Sequence, residues 1–166
     1  MERWSIDIQK EYFKFSAAHF LIFPDGTAER LHGHNYRVFV EIDASLSRHG
    51  LVIDFKRVKP LVRALVDELD EHWLVPGQHE VLRVAPLPDG RVEVRFRERI
   101  YAAPSDDVLV LPVNNISAEN LATHLGRELR RRLESAFDEV RIRSLRLAVE
   151  ETSGQRGVYH FARDDA

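Results

Sequence analysis

The chain has 166 residues, 44% apolar and 31% charged, with a formal net charge of −3 and no cysteine. That length suffices for one compact core, the acidic balance argues against a general nucleic-acid binder, and no run of about 18 apolar residues offers a membrane span. Disulfides and thiolate-rich metal sites are excluded, and Met1-Glu2-Arg3-Trp4 carries no apolar signal core, so a cytoplasmic location is expected.

Residues 11–19 alternate, with Phe13, Phe15, Ala17 and His19 on one strand face. Residues 20–30 read as a loop around the turn signal Pro24-Asp25-Gly26. Residues 34–43 form a second strand, in which Tyr36, Val38, Val40 and Ile42 share a face with His34. Asp54 reads as an N-cap, followed by Val58, Leu61, Val62, Leu65, Val66 and Leu69 at helical spacing. Pro60 is expected to mark the true helix start or to kink the first turn. Residues 81–102 read as a hairpin about Pro88-Asp89-Gly90, with Arg91, Glu93, Arg95 and Arg97 on its solvated face.

A second helix spans about 117–136, its buried stripe marked by Leu121, Leu125, Leu129 and Leu133. A last strand pair follows at 140–151 and 157–163. Val140 and Ile142 are out of phase with Leu145, Leu147 and Val149, which a bulge near Ser144 reconciles. The order implies an α+β protein, one domain over 1–166, with an antiparallel sheet and helices on one face.

The chemistry concentrates in His32-Gly33-His34. Histidines at i and i+2 on an extended strand project to one face. His19 from the neighbouring strand completes a three-nitrogen site with one open position, the layout of a catalytic rather than a structural zinc. His49, His79, His124 and His160 lie outside this pattern and read as surface or satisfied histidines.

Six segments in order carry a resemblance: FSAAH (15–19), RLHGHNY (30–36), VIDFKRVK (52–59), LDEH (69–72), SAENLA (117–122), and EET (150–152) with VY (158–159). Together they resemble the 6-pyruvoyl-tetrahydropterin synthase family, which includes 6-carboxy-tetrahydropterin synthase. The resemblance implies a tunnelling fold, an antiparallel sheet with two helices on one side whose subunits join into a barrel as trimers or hexamers. It implies active sites between subunits and a small pterin substrate. It also implies that His19, His32 and His34 hold zinc, that Glu151 anchors the pterin, and that Glu119 and Ser117 contact it. A carboxylate suits that task because the 2-amino and N3–H edge of a pterin offers two parallel donors, as arginine does. Glu119 in a first helical turn also complements the macrodipole. The hairpin at 81–102 is an addition relative to the shortest members.

The chain departs from the family twice. Better-known members carry a catalytic cysteine before HGH, at the position of Ala28 in the commoner spacing; here Glu29 is the available base. An ordinary carboxylate is a weaker base than a thiolate by roughly four pKa units. A cysteine-less branch, similar to this chain in ERLHGHNY, converts 7,8-dihydroneopterin triphosphate to 6-hydroxymethyl-7,8-dihydropterin, a folate precursor. Such retro-aldol cleavage deprotonates a hydroxyl that a metal already acidifies, so a modest base suffices. Secondly, the family's Leu-Asp-His becomes Leu69-Asp70-Glu71-His72. Asp70 matches the aspartate and Glu71 the usual histidine. His72 lies one residue on, about 100° away if the segment is helical. The leading expectation is a zinc-dependent pterin lyase using Glu29, Asp70 and His72. The alternatives are 6-carboxy- or 6-pyruvoyl-tetrahydropterin synthesis on the same substrate, and a zinc-containing pterin-binding protein with little catalysis.

Overall fold

The computed structural model describes residues 2–163. The elements in order are β1 (Trp4–Ile8), β2 (Lys14–His19), β3 (His32–Ala44), α1 (Phe55–Asp67), β4 (His72–Pro76), β5 (Arg83–Pro86), β6 (Arg91–Phe96), β7 (Arg99–Pro104), β8 (Val108–Leu111), α2 (Ala118–Ala136), β9 (Ile142–Thr152) and β10 (Gln155–Ala162). The large sheet runs β10-β9-β3-β2-β4-β8, and β1 pairs with the far half of β3. The α+β architecture is the expected one, with one difference. β4 pairs in parallel with both β2 and β8, so the sheet is mixed rather than wholly antiparallel. Parallel neighbours need a long crossover; α1 supplies the first and the β5–β7 excursion the second.

Both helices start where their caps allow. Asp54 accepts from the Lys56 amide at 2.8 Å, and Ser117 accepts from the Asn120 amide at 3.3 Å, each satisfying an otherwise orphaned donor. The α1 helix begins at Phe55, so Pro60 lies inside it and does not mark its start. Val58, Val62, Leu65 and Val66 of α1 join Leu121, Leu125, Leu129 and Leu133 of α2 against Phe15, Tyr36, Val38 and Leu147 of the sheet and Phe13 just before β2. The phase break near Ser144 is a bulge: Asp43 faces Ser144 while Ala44 faces Ile142, leaving Arg143 over.

Residues 81–102 are not a single hairpin. They belong to a three-stranded sheet, β5-β6-β7, whose second turn at Arg97-Glu98 places Arg97 at φ +53°. This small sheet covers the face opposite the helices. Along β4, Leu74 points into the helix-side core, whereas Trp73 and Val75 join Phe20, Ile22, Leu82, Val94 and Phe96 in a second core. Strand alternation thus divides the molecule into three layers: helices, large sheet, small sheet.

Candidate active site

The histidine cluster sits where β2 ends and β3 begins. His19 and His32 are directly opposite in the antiparallel register, and His34 is opposite Ala17, so all three share the helix-side face. Their candidate ligand atoms lie within 4.8 Å of one another. Three imidazoles converging in this way could hold a metal ion.

The outer hydrogen bonds settle which nitrogens face inward. His19 Nδ1 lies 2.8 Å from the Ile116 carbonyl, and His32 Nδ1 lies 2.8 Å from the Arg30 carbonyl. Since a carbonyl only accepts, each Nδ1 donates and Nε2 is the nitrogen left for a ligand, the arrangement of a metal-ligating histidine. His19 is fully buried and its Nε2 has no hydrogen-bond partner. Such an orphaned polar atom is costly unless something engages it. Burial holds the His19 imidazole below its usual pKa, and the Ile116 carbonyl and Glu151 oppose that only in part. The donor set fits a divalent metal that takes neutral imidazoles.

Two carboxylates bracket the cluster. Glu151 Oε1 lies 3.3 Å from His19 Nε2, outside hydrogen-bond geometry, and 3.8 Å from His34 Nε2. It accepts from the Tyr36 hydroxyl at 3.3 Å. Tyr36 is fully buried and stacks on Phe15 at 4.8 Å. Burial, with the Glu151 charge beside it, holds the phenol well above its usual pKa, so it remains a donor. Alternation along β9 places Glu151: Val149 points into the helix-side core, so Glu151, two residues on, shares that face with Tyr36, while Glu150 pairs with Arg156 on the other.

Glu29 stands on the other side, with Oε2 3.9 Å from His32 Nε2. Its segment, expected as a plain loop, is a small hairpin. Ile22 bridges Ala28, and Glu29 N–H donates to the Leu21 carbonyl at 3.0 Å. The Leu21 amide donates back to the Glu29 carboxylate at 3.1 Å. At the tip Asp25 accepts from Thr27 N and Oγ1, and Gly26 adopts φ +82°.

Leu69-Asp70-Glu71-His72 is not helical. The helix has ended, Glu71 adopts φ +58°, and His72 opens β4. Glu71 and His72 are therefore not held the 100° apart that a helix imposes. The register sets His34, Ala17 and His72 in a row across β3, β2 and β4. His72 accordingly shares the cluster's face, two strand spacings or about 10 Å from His34. Its Nδ1 lies 2.7 Å from the Asp70 carbonyl, which leaves Nε2 free. Asp70 itself accepts from the Ser16 amide at 2.7 Å, and Glu71 N–H donates to the Ser16 carbonyl, so both residues pin the turn to β2. A cleft of about 730 Å³ opens mainly on the other face, lined by Ser16, Ala18, Asn35, Glu71 and Trp73; His34 and His72 also border it.

Ser117 and Glu119 arrive with the start of α2. A Cβ on Gly157 of β10 would fall 2.2 Å from the Ala118 carbonyl carbon, so only glycine lets the helix approach this closely. The approach carries the Ile116 carbonyl to His19. Ser117 serves as the cap, and Glu119 is exposed in the first turn. Sequence reasoning missed the Ile116 carbonyl, which no side chain announces. It also missed Tyr36 as a partner of Glu151, although HGHNY had placed it on the right face.

Residues 7–161 match the family described as 6-pyruvoyl tetrahydropterin synthase. A Methanocaldococcus jannaschii protein, named as a candidate 6-carboxy-5,6,7,8-tetrahydropterin synthase, is 31% identical over 150 residues, 88% of each chain. The Rickettsia conorii 6-carboxy-5,6,7,8-tetrahydropterin synthase is 31% identical over 117 residues, 70% of this chain and 75% of that one. Among solved structures, 6-pyruvoyl tetrahydropterin synthase from Plasmodium vivax superposes with a TM-score of 0.88 at 24% identity, covering 98% of this chain and all of that one. Two variants of that protein, with alanine or cysteine in place of a glutamate, are described as catalytic-residue mutants.

Proposed function

The chain belongs to the 6-pyruvoyl tetrahydropterin synthase family, and from that premise we propose that it is a zinc-dependent lyase cleaving the side chain of 7,8-dihydroneopterin triphosphate to 6-hydroxymethyl-7,8-dihydropterin. Membership makes it a pterin enzyme. The finer reading is carried by one observation: the carboxylate of Glu29, in a chain without cysteine, stands 3.9 Å from His32 of the histidine cluster. The Plasmodium vivax variants give precedent for a catalytic glutamate on this fold.

Zinc held by His19, His32 and His34 would supply Lewis acidity toward a side-chain oxygen of the substrate. Glu151 receives the 2-amino and N3–H edge of the ring, its Oε1 steadied by Tyr36. Ser117 and Glu119 flank the ring from the start of α2. Glu29 accepts the proton of the hydroxyl whose carbon becomes a carbonyl. The adjoining C–C bond breaks and its electron pair passes into the pterin ring. His72 Nε2, on a turn anchored by Asp70, returns a proton to the carbon left on the ring. Positioned acid–base groups of this kind contribute roughly 10²–10⁴-fold.

The names of the curated relatives favour a second reading, formation of 6-carboxy-tetrahydropterin from the same substrate. It needs another group to do the work of the family's cysteine. A homo-oligomer, trimer or hexamer, suits either reading. β8 and β10 end the large sheet, and each offers an edge that a second copy can extend.

The deciding experiment is mass-spectrometric product analysis after zinc-loaded protein is incubated with 7,8-dihydroneopterin triphosphate. The 6-hydroxymethyl product is expected. A 6-carboxy product would establish the second reading, and intact, bound substrate would leave a pterin-binding protein. Glu29→Gln is expected to lose about 100-fold or more in turnover while retaining zinc; a fully active Gln variant refutes Glu29 as the base.

A further inference from the structure

We propose that the small β5–β7 sheet is the support on which the Glu29 hairpin is held, with Arg99 as a positioning residue for Glu29. The inference rests on the reading of Glu29 as the base.

Three independent features join the sheet to this hairpin. The first is apolar. Phe20, Ile22 and Ala28, from the two arms of the hairpin, pack in one cluster with Val94 and Phe96 of β6 and Tyr101 of β7. Phe20 stacks on Tyr101 with centroids 5.8 Å apart and planes at 27°. The second is polar. Arg99 Nη1, at the start of β7, donates to the Glu29 carbonyl at 2.5 Å. The third is steric. The guanidinium of Arg97, in the β6–β7 turn, covers Gly26 so closely that a Cβ there would fall 2.1 Å from Nη2. Arg97 and Arg99 thus reach opposite ends of the hairpin, its tip and its base-bearing arm.

Arg99 completes what the hairpin alone leaves undone. Glu29 N–H is satisfied by Leu21, and its carboxylate is steadied by the Leu21 amide. Its carbonyl is the remaining main-chain anchor, and Arg99 takes it. With N–H, carbonyl and carboxylate all engaged, the residue is fixed at both ends of its backbone and at the tip of its side chain. A base carried on a loop otherwise loses effective concentration through small displacements, and a shift of about 1 Å can cost roughly 100-fold in rate. The histidines and Glu151, in contrast, stand on the large sheet and need no help from the small one.

The test compares Arg99→Ala, Arg99→Lys, Glu29→Gln and the double variant Arg99→Ala/Glu29→Gln, each zinc-loaded, with 7,8-dihydroneopterin triphosphate. Arg99→Ala is expected to lower kcat by about tenfold or more, with KM within about twofold and zinc content unchanged. Amide exchange should quicken within residues 20–30. Arg99→Lys should restore most of kcat, since an ammonium also donates to a carbonyl. The double variant should be no slower than Glu29→Gln alone, because Arg99 acts only through Glu29. Wild-type kcat in Arg99→Ala, or additive losses in the double variant, overturns the proposal even when Glu29→Gln is inactive. Wild-type turnover in Glu29→Gln instead overturns the reading of Glu29 on which it rests.

Discussion

The two faces of the large sheet carry different work. On the helix side, side chains from β2, β3, β9 and both helices form one closely filled core, and the three histidines and Glu151 stand on its strands. On the other side a smaller core joins Trp73 and Val75 to a three-stranded sheet with largely exposed outer strands, and Glu29 rides the hairpin resting there. The candidate metal and ring ligands are thus built into ladder hydrogen bonds, while the candidate base depends on a separate, lighter support. Holding and proton transfer should therefore be separable by mutation.

The sharpest way to break that separation is His19→Ala. It removes the fully buried member of the candidate metal site, so elemental analysis of zinc-loaded protein is expected to fall from about one zinc per chain to near none; retained stoichiometric zinc would displace the metal site from this cluster. Next in size is a contrast in stability. Leu129→Ala empties a fully buried position between α2 and the sheet and should cost about 2–5 kcal/mol in urea unfolding. Val94→Ala removes less volume from the smaller core and should cost about 1–2 kcal/mol, with exchange quickened chiefly in residues 20–30. Equal effects would mean that the two cores are one cooperative unit.

A finer probe is Tyr36→Phe, which keeps the stack on Phe15 and removes the donor to Glu151. About 1 kcal/mol of ring binding is at stake, a several-fold rise in KM with kcat nearly unchanged; a fall in kcat alone would tie Glu151 to the chemistry. The smallest effect lies far from the site. Glu128 accepts from Arg131 and Arg132, and those bonds hold its carboxyl down to about 2. Its folded pKa is below its unfolded value, so its contribution is complete above about pH 4.5 and lost as pH falls toward 2. Glu128→Gln should therefore lower stability by no more than about 1 kcal/mol at pH 7, a difference that shrinks as pH falls from about 4.5 toward 2 in paired urea titrations.

Much of the helix-side face was legible in the chain. Phe13, Phe15, Ala17 and His19 alternate as a strand must, α1 and α2 repeat leucine and valine at helical spacing, and Asp54 and Ser117 cap them. The bulge near Ser144 followed from a phase break alone. Those features obey local rules, because side-chain period and capping are set by the backbone within a few residues. The histidine cluster was legible for the same reason, His32 and His34 sharing one strand and His19 standing on its antiparallel neighbour.

What only the tertiary structure decided is non-local. The parallel pairing of β4 with β2 and β8 joins segments separated by whole elements, and neither strand carries a sign of its partner's direction. The left-handed turn at Glu71 brings His72 onto the cluster's face, where a helical reading kept it away. The register shift between β9 and β10 has no marker in its residues, and the bond from Arg99 to the Glu29 carbonyl joins residues 70 positions apart. A periodic pattern records which face of an element is buried. It does not record against what, since burial free energy is non-directional and the partner is chosen by how the whole chain packs.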